Sequence, residues 1–195
     1  MATPSNDDNP APSGREEVTA ALLAATEKLC AKGQPSSFSI REIAAEAGVT
    51  TSLLYFYFKS KDDVILATVR SIAADIDAEV AGADTPTDIA AAVSRALAER
   101  PAFPRLLAWF VLEGRGFGEL SDDPVLARLV SAFSQHGADP VTNAGVAVTL
   151  LLGNTLLADA VNEGLERSPA DTRLRQALDQ VRDTVTSEGL NRLAD

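Results

Sequence analysis

The chain has 195 residues and a formal net charge of −11, with 46% hydrophobic residues but only 5% aromatics, enough for one ordinary domain or a small domain fused to a moderate one, with a sizeable core. The acidity argues against indiscriminate nucleic-acid binding. Cys30, the only cysteine, rules out an internal disulfide and suits a reducing cytosol, and no apolar run follows a basic start as in a secretion signal.

Residues 1–12 are polar and proline-rich without periodicity, and read as a disordered arm. Asp7 and Asp8, with no Lys or Arg before Arg15, make the arm a tether rather than a minor-groove contact. Ser13 and Glu16 form a capping-box pair that predicts a helix to about Ala31. Val18, Leu22, Ala25 and Leu29 form its apolar stripe, and Gly33 with Pro35 ends it.

A second capping box, Ser39 with Glu42, opens a short helix, and Phe38 with Ile43 supplies a hydrophobic staple. Ile40, Ile43, Ala44 and Ala47 fall on one helical face. Gly48 follows, where a left-handed residue ends a helix without steric cost. Thr50 or Thr51 caps the next helix, which carries Ser52, Tyr55 and Tyr57. Two short helices around a glycine turn have the layout of a DNA-reading helix-turn-helix. Hydroxyls in the first turn of the second helix can meet base edges, and tyrosine tips can reach phosphates. Tyr55, Phe56 and Phe58 can also be ordinary core, Phe58 first among them. Ser60 caps a further helix with Lys61 in its first turn, placing a cation beside free backbone N–H groups able to hold a phosphate.

Ala44-x-x-Ala47-Gly48-Val49-Thr50, Leu54-Tyr55-x-Tyr57-Phe58 and Lys61-Asp62 together resemble the TetR family of bacterial transcriptional regulators. The resemblance covers roughly residues 15–70, and Leu-Tyr-x-Tyr-Phe-x-x-Lys is its most specific part. It implies that Ser39, Thr50, Thr51, Ser52, Tyr55, Tyr57 and Lys61 contact DNA, and Arg41 completes the candidate set. Leu53 stands where the family often has a small or hydroxylated residue, so one phosphate contact is expected to be missing. Residues 15–62 carry six basic and six acidic side chains, a neutral reader whose affinity leans on dimerisation.

From Ser60 a helix is expected to about Ala81, burying Ile65, Val69, Ile72, Ile76 and Val80. The break at Gly82–Pro86 suggests a boundary between a reader domain over 13–81 and a second domain over 82–195. Thr85-Pro86 opens a helix with Ile89, Val93 and Leu97 at regular spacing, stopped by Pro101. A buried helix follows over Pro104–Leu112, then a loop at Gly114–Gly118, and a helix from Pro124 to about His136. Asp139-Pro140 opens a long apolar helix to about Glu166, interrupted by Gly153, Asn154 and Asp159, which argues against a membrane span. A last helix is expected from Ser168-Pro169 and Asp171, carrying Leu174, Leu178, Val181 and Val185. The fold class is therefore all-α, with an N-terminal three-helix reader and a C-terminal bundle. The two terminal helices, rich in surplus apolar surface, suit a four-helix pairing with a second copy, a homodimer.

No metal-ligand spacing, nucleophile elbow or dinucleotide fingerprint occurs, so neither an enzyme nor a cofactor is expected. His136 reads as a capping or surface residue rather than a catalyst. Phe103, Trp109, Phe110, Phe117 and Phe133 gather in the middle helices and can be plain core. Helical bundles also open apolar pockets, and the resemblance implies a small effector there. A pocket near Trp109, with Arg105, Glu113 or Asn154 as polar partners, is the expectation. The resulting reading is a cytoplasmic homodimeric repressor of a near-palindromic duplex operator, released by a small effector. The alternative is a helical interaction module with a vestigial helix-turn-helix.

Overall fold

The computed structural model describes residues 12–114, 124–135, 139–166, 168 and 172–188, which are helical without strands. They divide by packing into two units, one up to Thr68 and one from Val69. The division falls inside a helix, α4 (Lys61–Val80), whereas Gly82–Pro86 forms the connection from α4 to the next helix.

The first unit holds α1 (Arg15–Lys32), a 3-10 turn at Pro35–Ser37, α2 (Ile40–Glu46), α3 (Thr51–Tyr57) and the start of α4. Leu22, Ile43, Leu54, Val64 and Ile65 are fully buried and form its core. α2 packs on both α1 and α3, and an ion pair joins Lys28 of α1 to Glu46 of α2. The start of α1 corrects the Ser13–Glu16 pairing. Gly14 occupies the N-cap without a side-chain cap, and the Ser13 backbone N–H donates to the Glu17 carboxylate at 2.9 Å. The helix begins later than a Ser13 cap requires, which brings the carboxylate of Glu17 within reach instead. The expected apolar stripe is buried at Val18, Leu22 and Ala25, while Leu29 is half-buried and Cys30 is 2% exposed. Burial, reinforced by the negative Glu27 and opposed by Lys61, pushes the Cys30 thiol up to about 12.

The second unit continues along α4 and adds α5 (Pro86–Glu99), α6 (Ala102–Leu112), α7 (Pro124–Ser134), α8 (Pro140–Gly164) and α9 (Arg173–Glu188). Thr85 caps α5 by accepting from the Asp88 N–H at 3.1 Å. Asp139 caps α8 by accepting from the N–H groups of Val141 and Thr142, each at 3.2 Å. α8 packs against α5, α6, α7 and α9. Arg128 of α7 pairs with Asp77 of α4 at 2.8 Å, and Arg100, after α5, pairs with Glu79. Ile89, Val93 and Leu97 are buried as their spacing predicts, and on α7 Leu129 and Phe133 are buried while Leu126 and Val130 are half-buried. By length and composition alone α8 could cross a membrane, and 22% of that apolar window is buried inside the chain. Leu157 and Val161 stay exposed on it, as do Leu165 at its C-terminal cap and Val181 on α9. The expected glycine loop beyond Gly114, Phe117, His136, and the Pro169–Asp171 start of the last helix lie outside the described residues.

Candidate nucleic-acid interface

The turn between α2 and α3 is fixed by backbone hydrogen bonds. The Val49 N–H donates to the Ala44 carbonyl at 2.9 Å and the Gly48 N–H to the Ala45 carbonyl at 3.1 Å. Together they form a Schellman closure, with Gly48 at φ +69 in the left-handed region. Ser39 and Glu42 make the expected reciprocal capping box, and the two hydrogen bonds from Ser39 hold the Glu42 carboxyl below its ordinary 4.5. Of the two threonines, Thr50 is the cap of α3, accepting from the Leu53 N–H at 3.2 Å.

Leu54 is fully buried and sets the inner side of α3. At 3.6 residues per turn, Ser52 and Phe56 each lie about 160° around the axis from it, with Tyr55 about 100° away. Ser52, Tyr55 and Phe56 are all exposed, and Thr51, Tyr57 and Phe58 are half-buried. Of the possible core aromatics, Tyr55 and Phe56 thus face solvent. Tyr57 lies beneath the Arg15 guanidinium, 5.8 Å from its ring centroid. Thr50 uses an oxygen lone pair in the cap and keeps its proton to donate. Ser39 differs, because its hydroxyl donates to the Glu42 carboxylate at 2.8 Å. Arg41 is exposed on α2.

Lys61 is more occupied than its position in sequence suggests. Its ammonium donates to the Pro35 carbonyl at 2.9 Å and the Phe38 carbonyl at 3.1 Å, and it stands 5.6 Å from the Phe38 ring centroid. An ammonium has three protons, so one remains for an outside acceptor. The first two tie the 3-10 turn and the entry to α2 onto the start of α4.

In the second unit, a cavity of about 60 Å³ lies between α4, α5, α6, α7 and α8. Its walls include Ile76, Leu97, Phe103, Leu107, Leu129 and Leu151, and all its lining residues are apolar. Of the residues expected around an effector, Phe103 lines this cavity. Phe110 and Phe133 are buried outside its lining, Trp109 is half-buried, and Arg105 and Glu113 are exposed. Asn154 is turned toward α9, donating to Asp179 at 3.4 Å, while its side-chain oxygen is buried without a partner. The additional wall residues from α4 and α8 escaped the sequence reading because all were assigned to ordinary helix packing. Among the described residues, no group of His, Cys, Asp or Glu is placed to hold a metal ion.

An all-α chain whose first unit closes a glycine turn between two capped helices, with hydroxyls and aromatics on the outer side of the second, is a helix-turn-helix protein. The profile of the tetR family of bacterial regulatory proteins matches residues 22–68, the stretch that holds the helix-turn-helix, and there the chain is similar to the TetR family. The HTH-type transcriptional repressor Rv3405c of Mycobacterium tuberculosis is 34% identical over 130 residues, 66% of this chain and 65% of the relative. The HTH-type transcriptional regulator Mb3439c of Mycobacterium bovis matches to the same extent. The chain thus spans 65% of the length of these relatives in the matched region. Among solved structures, a TetR-family regulator from a Rhodococcus species superposes with a TM-score of 0.66 at 21% identity, covering 89% of this chain and all of that one. GusR of Salmonella enterica gives 0.65 at 15% identity, covering 93% of this chain and 99% of its own. These two share the fold.

Proposed function

We propose that the protein is a sequence-specific DNA-binding transcriptional regulator, a cytoplasmic homodimer that represses from a near-palindromic operator until a small apolar effector releases it. The observation that carries this reading is the outer side of α3, where Ser52 and Tyr55 are exposed opposite the buried Leu54. Thr51 and Ser52 address base edges, Thr50, Tyr55, Tyr57 and Arg41 address phosphates, and the third proton of Lys61 is available to one more. Ser39 serves first as a cap and touches the backbone only from there. Two copies, joined through α8 and α9, place their α3 helices one DNA turn apart, about 34 Å, or a multiple of it. The repressor name of the M. tuberculosis relative supports the direction of regulation.

The apolar cavity supports an apolar effector. At about 60 Å³ it is smaller than the several hundred Å³ typical of drug-sized ligands. An effector therefore binds a widened bundle and not the compact one, which gives it the differential affinity needed to shift the equilibrium. Helix α4, continuous from Lys61 to Val80, carries that change in the proposed mechanism. An uncharged hydrocarbon-rich ligand suits these walls, since a charge buried there would lack a partner.

Binding of the full chain to duplexes selected from its own genomic DNA tests the reading by fluorescence anisotropy. Tyr55→Ala is expected to weaken binding with an unchanged melting temperature, and an apolar ligand that perturbs Trp109 fluorescence is expected to release the DNA. Indifference to Tyr55→Ala at both low and moderate salt would favour an interaction module instead.

A further inference from the structure

We infer that Phe56 determines specificity by packing its ring against the C5-methyl group of one thymine in each half-site. This rests on the DNA-reading role proposed above and adds the base that the reader selects. Among the described residues up to Thr68, the exposed large apolar side chains are Tyr55 at 53% and Phe56 at 77%. Tyr55 has a hydroxyl that can meet a phosphate. Phe56 has neither donor nor acceptor, so neither a phosphate nor a polar base edge can be its partner.

A single exposed apolar residue is ordinary on a protein surface. The position of this one is not. Phe56 sits across the helix from the fully buried Leu54 and one turn beyond Ser52, so ring and hydroxyl point outward together. It also has a neighbour to lean on: Tyr57 meets it edge-to-face, with centroids 5.2 Å apart and planes at 87°, and Tyr57 is itself covered by Arg15. A ring already in contact with a neighbour loses less freedom on binding than an isolated one. Within a major groove otherwise lined by donors and acceptors, the thymine methyl is the apolar feature such a ring can cover.

The test begins by selecting sites for the full chain from a random duplex library. Each thymine of the selected site is then replaced singly by deoxyuridine, which removes the methyl and nothing else. One position per half-site is expected to weaken the wild type about fourfold, the cost of exposing one methyl-sized group, and both together about fifteenfold. Phe56→Ala, folded and melting as the wild type does, is expected to be indifferent to the same replacements. A wild type insensitive to every deoxyuridine would overturn the inference and leave the ring against sugar or solvent. A sensitivity that persists in Phe56→Ala would overturn it as well. Enrichment of no sequence at all would sink the DNA-reading role, and this inference with it.

Discussion

Lys61 shows how one side chain can be placed correctly by a motif yet do more than the motif implies. Its position beside the start of α4 is readable from Ser60 and the residues that follow. Its bonds to the carbonyls of Pro35 and Phe38 are not, because those partners lie 26 and 23 residues away and no local pattern joins them. Lys61→Met is therefore expected to lower stability by roughly 2 kcal/mol, the usual worth of hydrogen bonds from a charged donor. Thermal melting would register it together with the loss of DNA affinity, whereas a residue that only contacts phosphate would change affinity alone. The exposure of Phe56 was hidden in the same way: an aromatic between two tyrosines suits core and surface equally until Leu54 fixes which side faces inward.

Helices were the more legible level. Capping residues Ser39, Thr50, Thr85 and Asp139 mark their starts through interactions three residues long or less, which is the range sequence patterns describe. Where the helix start depends on backbone rather than side chain, as at Gly14, the pattern selected the wrong carboxylate. The 3-10 turn at Pro35–Ser37 was missed because it has no apolar period of its own. The Ser39–Glu42 box carries a pH signature. Glu42 is held below its ordinary 4.5 by accepting from the Ser39 backbone N–H and hydroxyl, so its contribution is complete above that value. It disappears as pH falls through the lowered folded value. Glu42→Gln retains the capping geometry without the ionisation. The acid limb of reader stability, followed by helical circular dichroism from pH 6 downward, is expected to be shallower in that variant.

For the molecule as a unit of function, the uncovered apolar side of α8 and α9 matters most in the proposed dimer. The surplus hydrophobicity of the two terminal helices was legible, but that Leu157, Val161, Leu165 and Val181 are among the residues left outside required the packing of α5 and α7 against α8. Leu157→Asp is expected to weaken self-association on the order of 100-fold, because it buries an unpaired carboxylate at the joint. Sedimentation would follow the dissociation, and operator affinity should fall with it. The cavity was only partly foreseen, since walls contributed by five helices distant in sequence leave no contiguous signal.

The covered Cys30 has a practical bearing on all of this. Its thiol remains protonated at neutral pH and shielded by α1's neighbours, so maleimide reagents will pass it by. A cysteine introduced at the exposed Ala24 of the same helix would accept a spin label alone, with no need to delete the native one. In the proposed dimer, paired labels would then act as a molecular ruler, reporting how far apart the two α3 helices stand with and without a candidate effector.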